Sequence, residues 1–413
     1  MMISFSRENN DKYPLRWISH GICEALLYAW LIGVTLPHTN FFYNLGLYGA
    51  PLVAIPYLIV TRGDDLKRIQ KPFGLSFLLF VTWNLVACFW SSDVLKAFAD
   101  WRGNLGIALQ MAIIFFVIFQ KRESQSRLWV FLLGLCLCLV VMFCGEWLAI
   151  SRKENVPIPP YPTMRSWGGQ LIMLLPFLAF GGVFLYKRWM RFSAFILIGI
   201  FSILMLITMA RGVWLALVIF LMAFALRAIR DKKKILLLLL SCFLVLGVLW
   251  ISPGSQLKSR ASNIAYTGDR MSYTWGPAIR FWLESPIAGI GYGTDSFHAK
   301  ASELSENDPT WLKDVVGDKS VYINLGPHSN YFEVLSAGGI VGLFLLLYFY
   351  HFVIRNILLS WQSGNALLVS SAMVVLTKYM VHGMVESISW KLIGIFVGLM
   401  LASLASSEAK IDQ

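Results

Sequence analysis

The stretch Pro327-His328-Ser329-Asn330-Tyr331 stands where the longest polar segment of the chain, about residues 253–327, gives way to an apolar run. That run includes Leu343-Phe344-Leu345-Leu346-Leu347, and it is long enough to form a membrane-spanning helix. His328 therefore lies at the start of a predicted membrane helix, beside a long loop that carries arginines. A histidine in this place is either a capping or interfacial residue or a general base.

The composition of the whole chain is that of a polytopic helical membrane protein. Its 413 residues are 57% hydrophobic and only 14% charged, and apolar runs of about 20 residues recur along its length. The runs are continuous rather than alternating, which excludes a transmembrane β-barrel. The net charge of +12 does not indicate nucleic-acid binding, because cationic loops of membrane proteins mainly set the topology.

We predict an all-α fold of about twelve membrane spans and treat residues 1–413 as one integral membrane domain. The predicted spans are residues 18–37, 43–60, 73–90, 105–120, 128–150, 168–186, 192–210, 212–229, 234–252, 330–353, 364–382 and 388–406. Basic residues cluster in the loops after spans 2, 4, 6 and 8, so the positive-inside rule predicts that both termini are cytoplasmic. The loop 253–327, between spans 9 and 10, then lies on the outer side. Within it, residues 269–285 predict an amphipathic helix, Gly289–Gly293 a tight turn and residues 309–316 a second short helix.

Several arginines lie on the predicted outer side, where positive charge is disfavoured. They are Arg102, Arg152, Arg165, Arg211, Arg270 and Arg280. Arg211 is in a very short turn between two apolar spans, so it either snorkels to the interface or binds an anion such as phosphate. Arg270 begins the predicted loop helix, whose N-terminus adds partial positive charge. Together the arginines suggest an anionic, lipid-linked substrate.

The other polar groups do not predict a metal site or a cofactor. No group of His, Cys, Asp and Glu residues has metal-ligand spacing, and the six cysteines lie in apolar runs. Glu386, in the outer turn between spans 11 and 12, pairs with an arginine, orients a substrate hydroxyl or is a plain interfacial residue. Gly338, Gly339 and Gly342 are predicted to allow close helix packing, which would fix the helix that presents His328.

The pattern of His328-Ser329, nine residues, Gly339, two residues and Gly342 resembles the histidine motif of the bacterial O-antigen ligase superfamily. Other segments similar to the family, in the same order, are Thr208-Met209-Ala210-Arg211, Gly268-Asp269-Arg270 and Glu386-Ser387-Ile388-Ser389-Trp390. An aspartate is expected where this chain has Glu386. The resemblance covers about residues 205–392.

This resemblance implies a glycosyltransferase with a GT-C-like membrane fold and an active site on the periplasmic side of the bacterial inner membrane. It would transfer an O-antigen glycan from undecaprenyl pyrophosphate to a sugar hydroxyl of lipid A-core, with inversion and without a metal or cofactor. His328 would be the general base, and Arg211 and Arg270 would stabilise the pyrophosphate leaving group. The candidate substrate-binding residues are Arg102, Arg165, Arg280, Ser329 and Glu386. Gly339 and Gly342 would be structural.

Three alternatives stay open at this point. An O-antigen polymerase and a protein O-oligosaccharyltransferase belong to the same superfamily. Polymerases tend to have two sizeable arginine-bearing loops, so the long loop 253–327 beside the short loop 151–167 favours the ligase. A transporter or flippase of a lipid-linked anion would carry its charges deep in the spans, whereas the arginines here lie at the outer rim. All these proteins are embedded in membrane lipids.

Overall fold

The helices of the protein follow the apolar runs of its sequence. The computed structural model describes residues 14–37, 39–60, 71–154, 161–185, 188–208, 210–228, 266–307, 326–361 and 365–408. Every regular element in these ranges is helical. Apolar runs favour helices because a helix satisfies its backbone hydrogen bonds internally, as a membrane environment requires.

The described ranges contain fourteen α-helices, some of them extended by 3₁₀ or π turns. They are α1 (Pro14–Thr35), α2 (Asn40–Val60), α3 (Lys71–Val86), α4 (Val94–Trp101), α5 (Ile107–Phe119), α6 (Arg122–Glu154), α7 (Tyr161–Leu185), α8 (Arg188–Ile207), α9 (Arg211–Ala228), α10 (Tyr266–Glu284), α11 (Thr294–Asn307), α12 (Asn330–Ser360), α13 (Ala366–Val374) and α14 (Ile393–Glu408). We call the end of the molecule at which α12 begins the His328 end.

Among the described residues, eight helical segments are long and apolar enough to cross a membrane. They coincide with predicted spans 1 to 5 and 10 to 12, so the multi-pass helical membrane fold is confirmed. Predicted spans 6, 7 and 8 coincide with α7, α8 and α9, whose described apolar stretches are Trp167–Gly181, Ile196–Ile207 and Gly212–Leu226. Predicted span 9, residues 234–252, lies outside the described residues. The count of twelve spans, the GT-C-like architecture and the periplasmic placement of loop 253–327 remain predictions.

The predicted spans 73–90 and 105–120 leave residues 91–104 as a loop. This prediction is wrong. The carboxylate of Asp93 caps a helix there by accepting a hydrogen bond from the Lys96 N–H at 3.1 Å. This helix, α4, continues through the π turn Arg102–Gly106 into α5. The helix that contains the fourth span therefore begins near Val94 instead of residue 105, because a single capping residue starts the helix before the strongly apolar run.

The polar segment between predicted spans 9 and 10 holds one expected helix and one unexpected helix. The amphipathic helix predicted at 269–285 is confirmed as α10. The helix α11 was not predicted, because its N-terminus is capped from a distant element. The carboxylate of Asp100, in α4, accepts hydrogen bonds from the N–H and the hydroxyl of Thr294 at 3.3 and 3.1 Å. The helix predicted at 309–316 lies outside the described residues.

The helix α12 is the element on which the site is built, and it packs against α3, α10 and α13. The rings of Trp275 in α10 and Phe332 in α12 lie 4.8 Å apart. Lys300 of α11 bridges Glu284 of α10 and Glu303 of its own helix, with distances of 3.3 and 2.8 Å. The hydrogen bond to Glu303 raises the pKa of Lys300. The two helices of the polar segment are thus tied to each other and to the start of α12.

Candidate functional site

His328 precedes the first turn of α12 and has a strained backbone. Ser329 is the N-cap residue: its carbonyl accepts a hydrogen bond from the Glu333 N–H at 2.9 Å, while its side chain makes no capping bond. The φ angle of His328 is 48°, the only positive value among the described residues other than glycine. Such a conformation costs about 1–3 kcal/mol and persists only where surrounding contacts enforce it. His328 is therefore next to the cap and is not the cap itself.

His328 faces the carboxylate of Glu386. Its Nδ1 lies 4.0 Å from Oε2 of Glu386, which is too long for a hydrogen bond but close enough for a carboxylate to stabilise a protonated imidazole. The two side chains are 26% and 20% exposed, so a ligand can reach them although most of their surface is shielded from water. This geometry suits a histidine that accepts a proton during a reaction.

The turn that carries Glu386 is fastened to the first residues of α12. The side-chain oxygen of Asn330 accepts a hydrogen bond from the Ile388 N–H at 2.6 Å. The hydroxyl of Tyr331 donates to a main-chain carbonyl of the π turn that follows α13, at 2.9 Å. Asn330 is fully buried, so its loss would leave the partly buried Ile388 N–H without this acceptor. The segment that presents His328 therefore also fixes the segment that presents Glu386.

The helix α12 is interrupted at Gly339, where φ is 65° and ψ is −164°. The chain that follows α10 supplies the hydrogen bonds that a continuous helix would make there. Four main-chain bonds join the two segments: Ile290 N–H to the Ser336 carbonyl (2.8 Å), Gly291 N–H to the Ala337 carbonyl (3.1 Å), Ile340 N–H to the Pro286 carbonyl (2.9 Å) and Val341 N–H to the Ile287 carbonyl (3.4 Å). The turn after α10 is thus built into the break of α12, and the backbone groups exposed by the break are satisfied.

Glycine is required where these two segments touch. A Cβ on Gly339 would collide with the carbonyl of Ile287, and one on Gly289 would lie 2.5 Å from a main-chain carbonyl of α12. Both glycines also have a positive φ, which other residues adopt only at a cost. Gly342 differs, because an added Cβ would lie 3.3 Å from the ring of Trp83. Gly342 thus serves close packing, as expected from the sequence, whereas Gly339 breaks the helix.

The candidate arginines lie on several helices. Arg211 is the first residue of α9, Arg270 lies in the second turn of α10 and Arg165 lies in α7; the side chains of these three are outside the described part of the structure. Arg280, further along α10, is half-buried, and Arg102 is exposed in the π turn after α4.

The backbone brings the start of α9 to the turn that leads to Glu386. A Cβ added to Gly212 would lie 2.7 Å from a methyl carbon of Val385 and 3.2 Å from Nε2 of His382. Arg211, the neighbour of Gly212, therefore begins its helix beside the segment that carries Glu386.

A cavity of about 280 Å³ lies beside His328 and Glu386. Pro327 and Ser387, which adjoin these two residues in the chain, both line it. Its other polar lining residues are Asn84, Asp100, Asn104, Thr294, His298, Glu333, Ser336 and Ser389. Its aromatic lining residues are Tyr292, Phe297 and Trp390. Within the described part of the chain, no lysine or arginine lines this cavity.

The cavity wall is held by hydrogen bonds between distant elements. The hydroxyl of Ser389 donates to the side-chain oxygen of Asn104 at 3.1 Å. Burial, and then the carboxylates of Glu333 and Asp100, raise the pKa of Tyr292 well above its ordinary value, so its phenol stays protonated. In the ranges that the structure covers, no three His, Cys, Asp or Glu side chains form a group that could hold a metal ion.

The residues lining this cavity and one buried lysine were not among those predicted. Lys378 is 6% exposed in the π turn Val375–Val381, and its Nζ donates to the carbonyl of Gly169 at 3.2 Å. A charged residue inside an apolar span is itself a sign of function, and that sign was present in predicted span 364–382. Asp100 gave no such sign, because its role depends on contacts with α11.

These features define a multi-pass helical membrane protein with a histidine–carboxylate pair at the N-terminus of a helix that is interrupted by a glycine. A family model described as O-antigen ligase matches residues 196–347, which include Arg211, Arg270, His328 and Gly339. Over 331 residues the chain is also 24% identical to the O-antigen ligase of Salmonella typhimurium (strain LT2), a match that covers 76% of this chain and 78% of that protein. By both comparisons the chain is similar to O-antigen ligases.

Proposed function

We propose that the protein transfers an O-antigen glycan from undecaprenyl pyrophosphate to a sugar hydroxyl of lipid A-core. The reaction takes place at the periplasmic face of the bacterial inner membrane. The observation that carries this proposal is the pair of His328 and Glu386, 4.0 Å apart and partly exposed at the start of α12. The similarity to O-antigen ligases supports the choice of donor and acceptor.

In the proposed reaction, His328 takes the proton from the acceptor hydroxyl. The hydroxyl oxygen attacks the anomeric carbon of the donor glycan. The bond from that carbon to the pyrophosphate oxygen breaks, and its electron pair leaves with the pyrophosphate, so the anomeric centre is inverted. Glu386 stabilises the imidazolium that forms. Two unit charges 4 Å apart attract by about 4 kcal/mol at an effective dielectric constant of 20, and partial exposure lowers this figure.

Arg211 and Arg270 stabilise the charge that develops on the departing pyrophosphate. The backbone supports these roles, because Arg211 begins α9 beside the turn that leads to Glu386. Arg270 lies on α10, and the chain after α10 is hydrogen-bonded into the break of α12. The cationic groups are therefore carried by elements that adjoin His328. Holding two lipid-anchored substrates in one site supplies further catalysis through orientation.

A reconstituted transfer reaction tests this function. Purified protein in lipid nanodiscs would receive the lipid-pyrophosphate glycan and lipid A-core, with a chelator present, and glycan-capped lipopolysaccharide would be measured. We expect the wild type to form it only when lipid A-core is present. His328→Ala should lose at least about 100-fold in rate. His351→Ala is the matched control, because His351 is an exposed histidine near the other end of α12.

The same reaction separates the alternatives. Elongation of the donor glycan without lipid A-core would identify a polymerase instead. Full activity of His328→Ala would remove the proposed base. Loss of activity in the chelator would contradict a metal-free mechanism.

The arginines are tested in the same reaction. Arg211→Ala and Arg270→Ala should each reduce transfer by at least about 100-fold, the scale at which removing a group that stabilises transition-state charge acts. Arg355→Ala is the control, because Arg355 is exposed in the last turns of α12. Normal turnover by either arginine variant would exclude that residue from the site.

A further inference from the structure

The cavity beside His328 is placed where one of the two reacting groups must lie. Its wall includes Gly326 and Pro327, directly before His328, and Ser387, directly after Glu386. The cavity therefore touches both chain segments, the one that carries His328 and the one that carries Glu386. A group held in the cavity would be next to the proposed general base.

The charge of the lining argues against a phosphate in this cavity. Asp100 and Glu333 contribute carboxyl groups, and the described lining residues include no lysine or arginine. The carboxylate of Asp100 would repel a pyrophosphate. The cavity therefore suits an uncharged ligand. Its described lining residues differ in charge from the helices that carry the candidate arginines.

The remaining lining residues are suited to a sugar ring. Carboxylates accept hydrogen bonds from hydroxyls, and the amides of Asn84 and Asn104 both donate and accept. The aromatic residues Tyr292 and Trp390 line the cavity beside these polar groups. A volume of about 280 Å³ is just below the range for small-molecule sites, roughly 300–1,000 Å³, so the cavity fits a single ring better than an oligosaccharide.

The polar wall is already ordered without a ligand. Asp100 caps α11 through Thr294, and Asn104 accepts from Ser389. These bonds join α4, the π turn after it, α11 and the segment before α14. A wall fixed from several elements can distinguish the positions of hydroxyl groups, because a misplaced hydroxyl leaves buried polar groups unpaired.

We propose that this cavity holds the acceptor sugar ring of lipid A-core, with Asp100, Asn104 and Glu333 binding its hydroxyls so that the reacting hydroxyl points to His328. This inference rests on the proposed function. The donor glycan also carries sugar rings with the same chemistry. The acceptor is favoured because the described lining residues include Asp100 and no lysine or arginine, whereas the pyrophosphate that adjoins the donor ring would require cations.

Measurement of KM for each substrate tests the proposal. Asp100→Asn keeps the shape of the side chain and its ability to cap α11 but removes the charge. Asn104→Leu keeps the volume and removes the polar atoms. Each variant should raise KM for lipid A-core by at least about fivefold, the loss expected for one hydrogen bond of roughly 1 kcal/mol. KM for the lipid-pyrophosphate donor should stay within about twofold.

Asp93→Asn is the matched control, because Asp93 also caps a helix in this region and does not line the cavity. It should leave both KM values unchanged. An increase in KM for the donor alone would overturn the acceptor assignment, and so would unchanged KM values in both cavity variants.

A binding measurement keeps this inference separate from the proposed function. Binding of lipid A-core without donor would be measured in nanodiscs by thermophoresis, with the His328→Ala protein as the background. Adding Asp100→Asn should weaken binding by at least about fivefold, and equal binding would overturn the proposal. Failure of the proposed function would instead appear as a wild type that does not transfer glycan to lipid A-core. Elution of each variant as a single monodisperse species confirms that it is folded.

Discussion

At the scale of single residues, the site depends on a backbone conformation that side chains rarely adopt. His328 has a φ of 48°, and Asn330 and Tyr331 fasten both this segment and the turn that carries Glu386. The histidine itself could be predicted from its place at a membrane boundary and from its motif. Its strained backbone and its distance from Glu386 could not, because both depend on contacts across about 60 residues of sequence.

Replacement of Glu386 by glutamine should lower kcat for glycan transfer about tenfold. The glutamine keeps the size of the side chain but removes the charge that stabilises a protonated His328, and partial exposure limits the loss to about 1–2 kcal/mol. Glu386→Asp keeps the charge and should retain more activity than Glu386→Gln. Steady-state transfer in nanodiscs measures both, with Glu303→Gln on α11 as the control. A wild-type kcat for Glu386→Gln would show that this carboxylate does not act on His328.

At the scale of elements, the site is organised by the break in α12. The turn after α10 replaces the helical hydrogen bonds around Gly339. This links the helix that carries Arg270 and Arg280 to the helix that follows His328. The glycines were predicted from the sequence as packing residues, which describes Gly342. The break could not be predicted, because a helix of this length and hydropathy carries no local signal that another segment pairs with its backbone.

Substitution of Gly339 by alanine should destabilise the protein by at least about 2 kcal/mol and reduce glycan transfer. Alanine disfavours the φ of 65°, and its Cβ would collide with the Ile287 carbonyl, so strain is added to a position that cannot relax easily. The midpoint of thermal unfolding, followed by the monodisperse fraction after heating, measures the effect. Gly134→Ala in α6 is the control, because a Cβ there meets no atom within 4 Å. Equal stability of Gly339→Ala and Gly134→Ala would contradict the role assigned to the break.

At the scale of the whole molecule, hydropathy and loop charge predict most of the membrane architecture. The described helices follow the predicted spans because apolar runs must form helices in a membrane. What could not be predicted is how the polar segment folds back. The helix α11 is capped at its N-terminus by Asp100 of α4. The cavity forms between segments that are remote in sequence. The site residues that belong to a sequence motif can therefore be predicted from the sequence. Those that only line the cavity are recognised from the structure.

The predicted topology should place the two ends of the molecule on opposite sides of the membrane. Lys96→Cys, at a position 66% exposed at the His328 end, should react with a membrane-impermeant maleimide in intact spheroplasts. Glu123→Cys, at the exposed start of α6, should react only after lysis, because the positive-inside rule assigns that loop to the cytoplasm. The wild type, whose cysteines lie in apolar runs, provides the blank. Labelling of Glu123→Cys but not Lys96→Cys in intact spheroplasts would invert the topology.

We propose that His328 removes the proton from the acceptor hydroxyl. Chemical rescue of His328→Gly tests this role most directly. Glycine accepts the φ of His328 without strain, so the variant keeps the backbone of the site while lacking the base. The single-turnover rate of glycan transfer to lipid A-core would be measured at increasing concentrations of imidazole. We predict that the variant reacts at least about 100-fold more slowly than the wild type and that its rate rises with imidazole. A wild-type rate for His328→Gly without imidazole would contradict it.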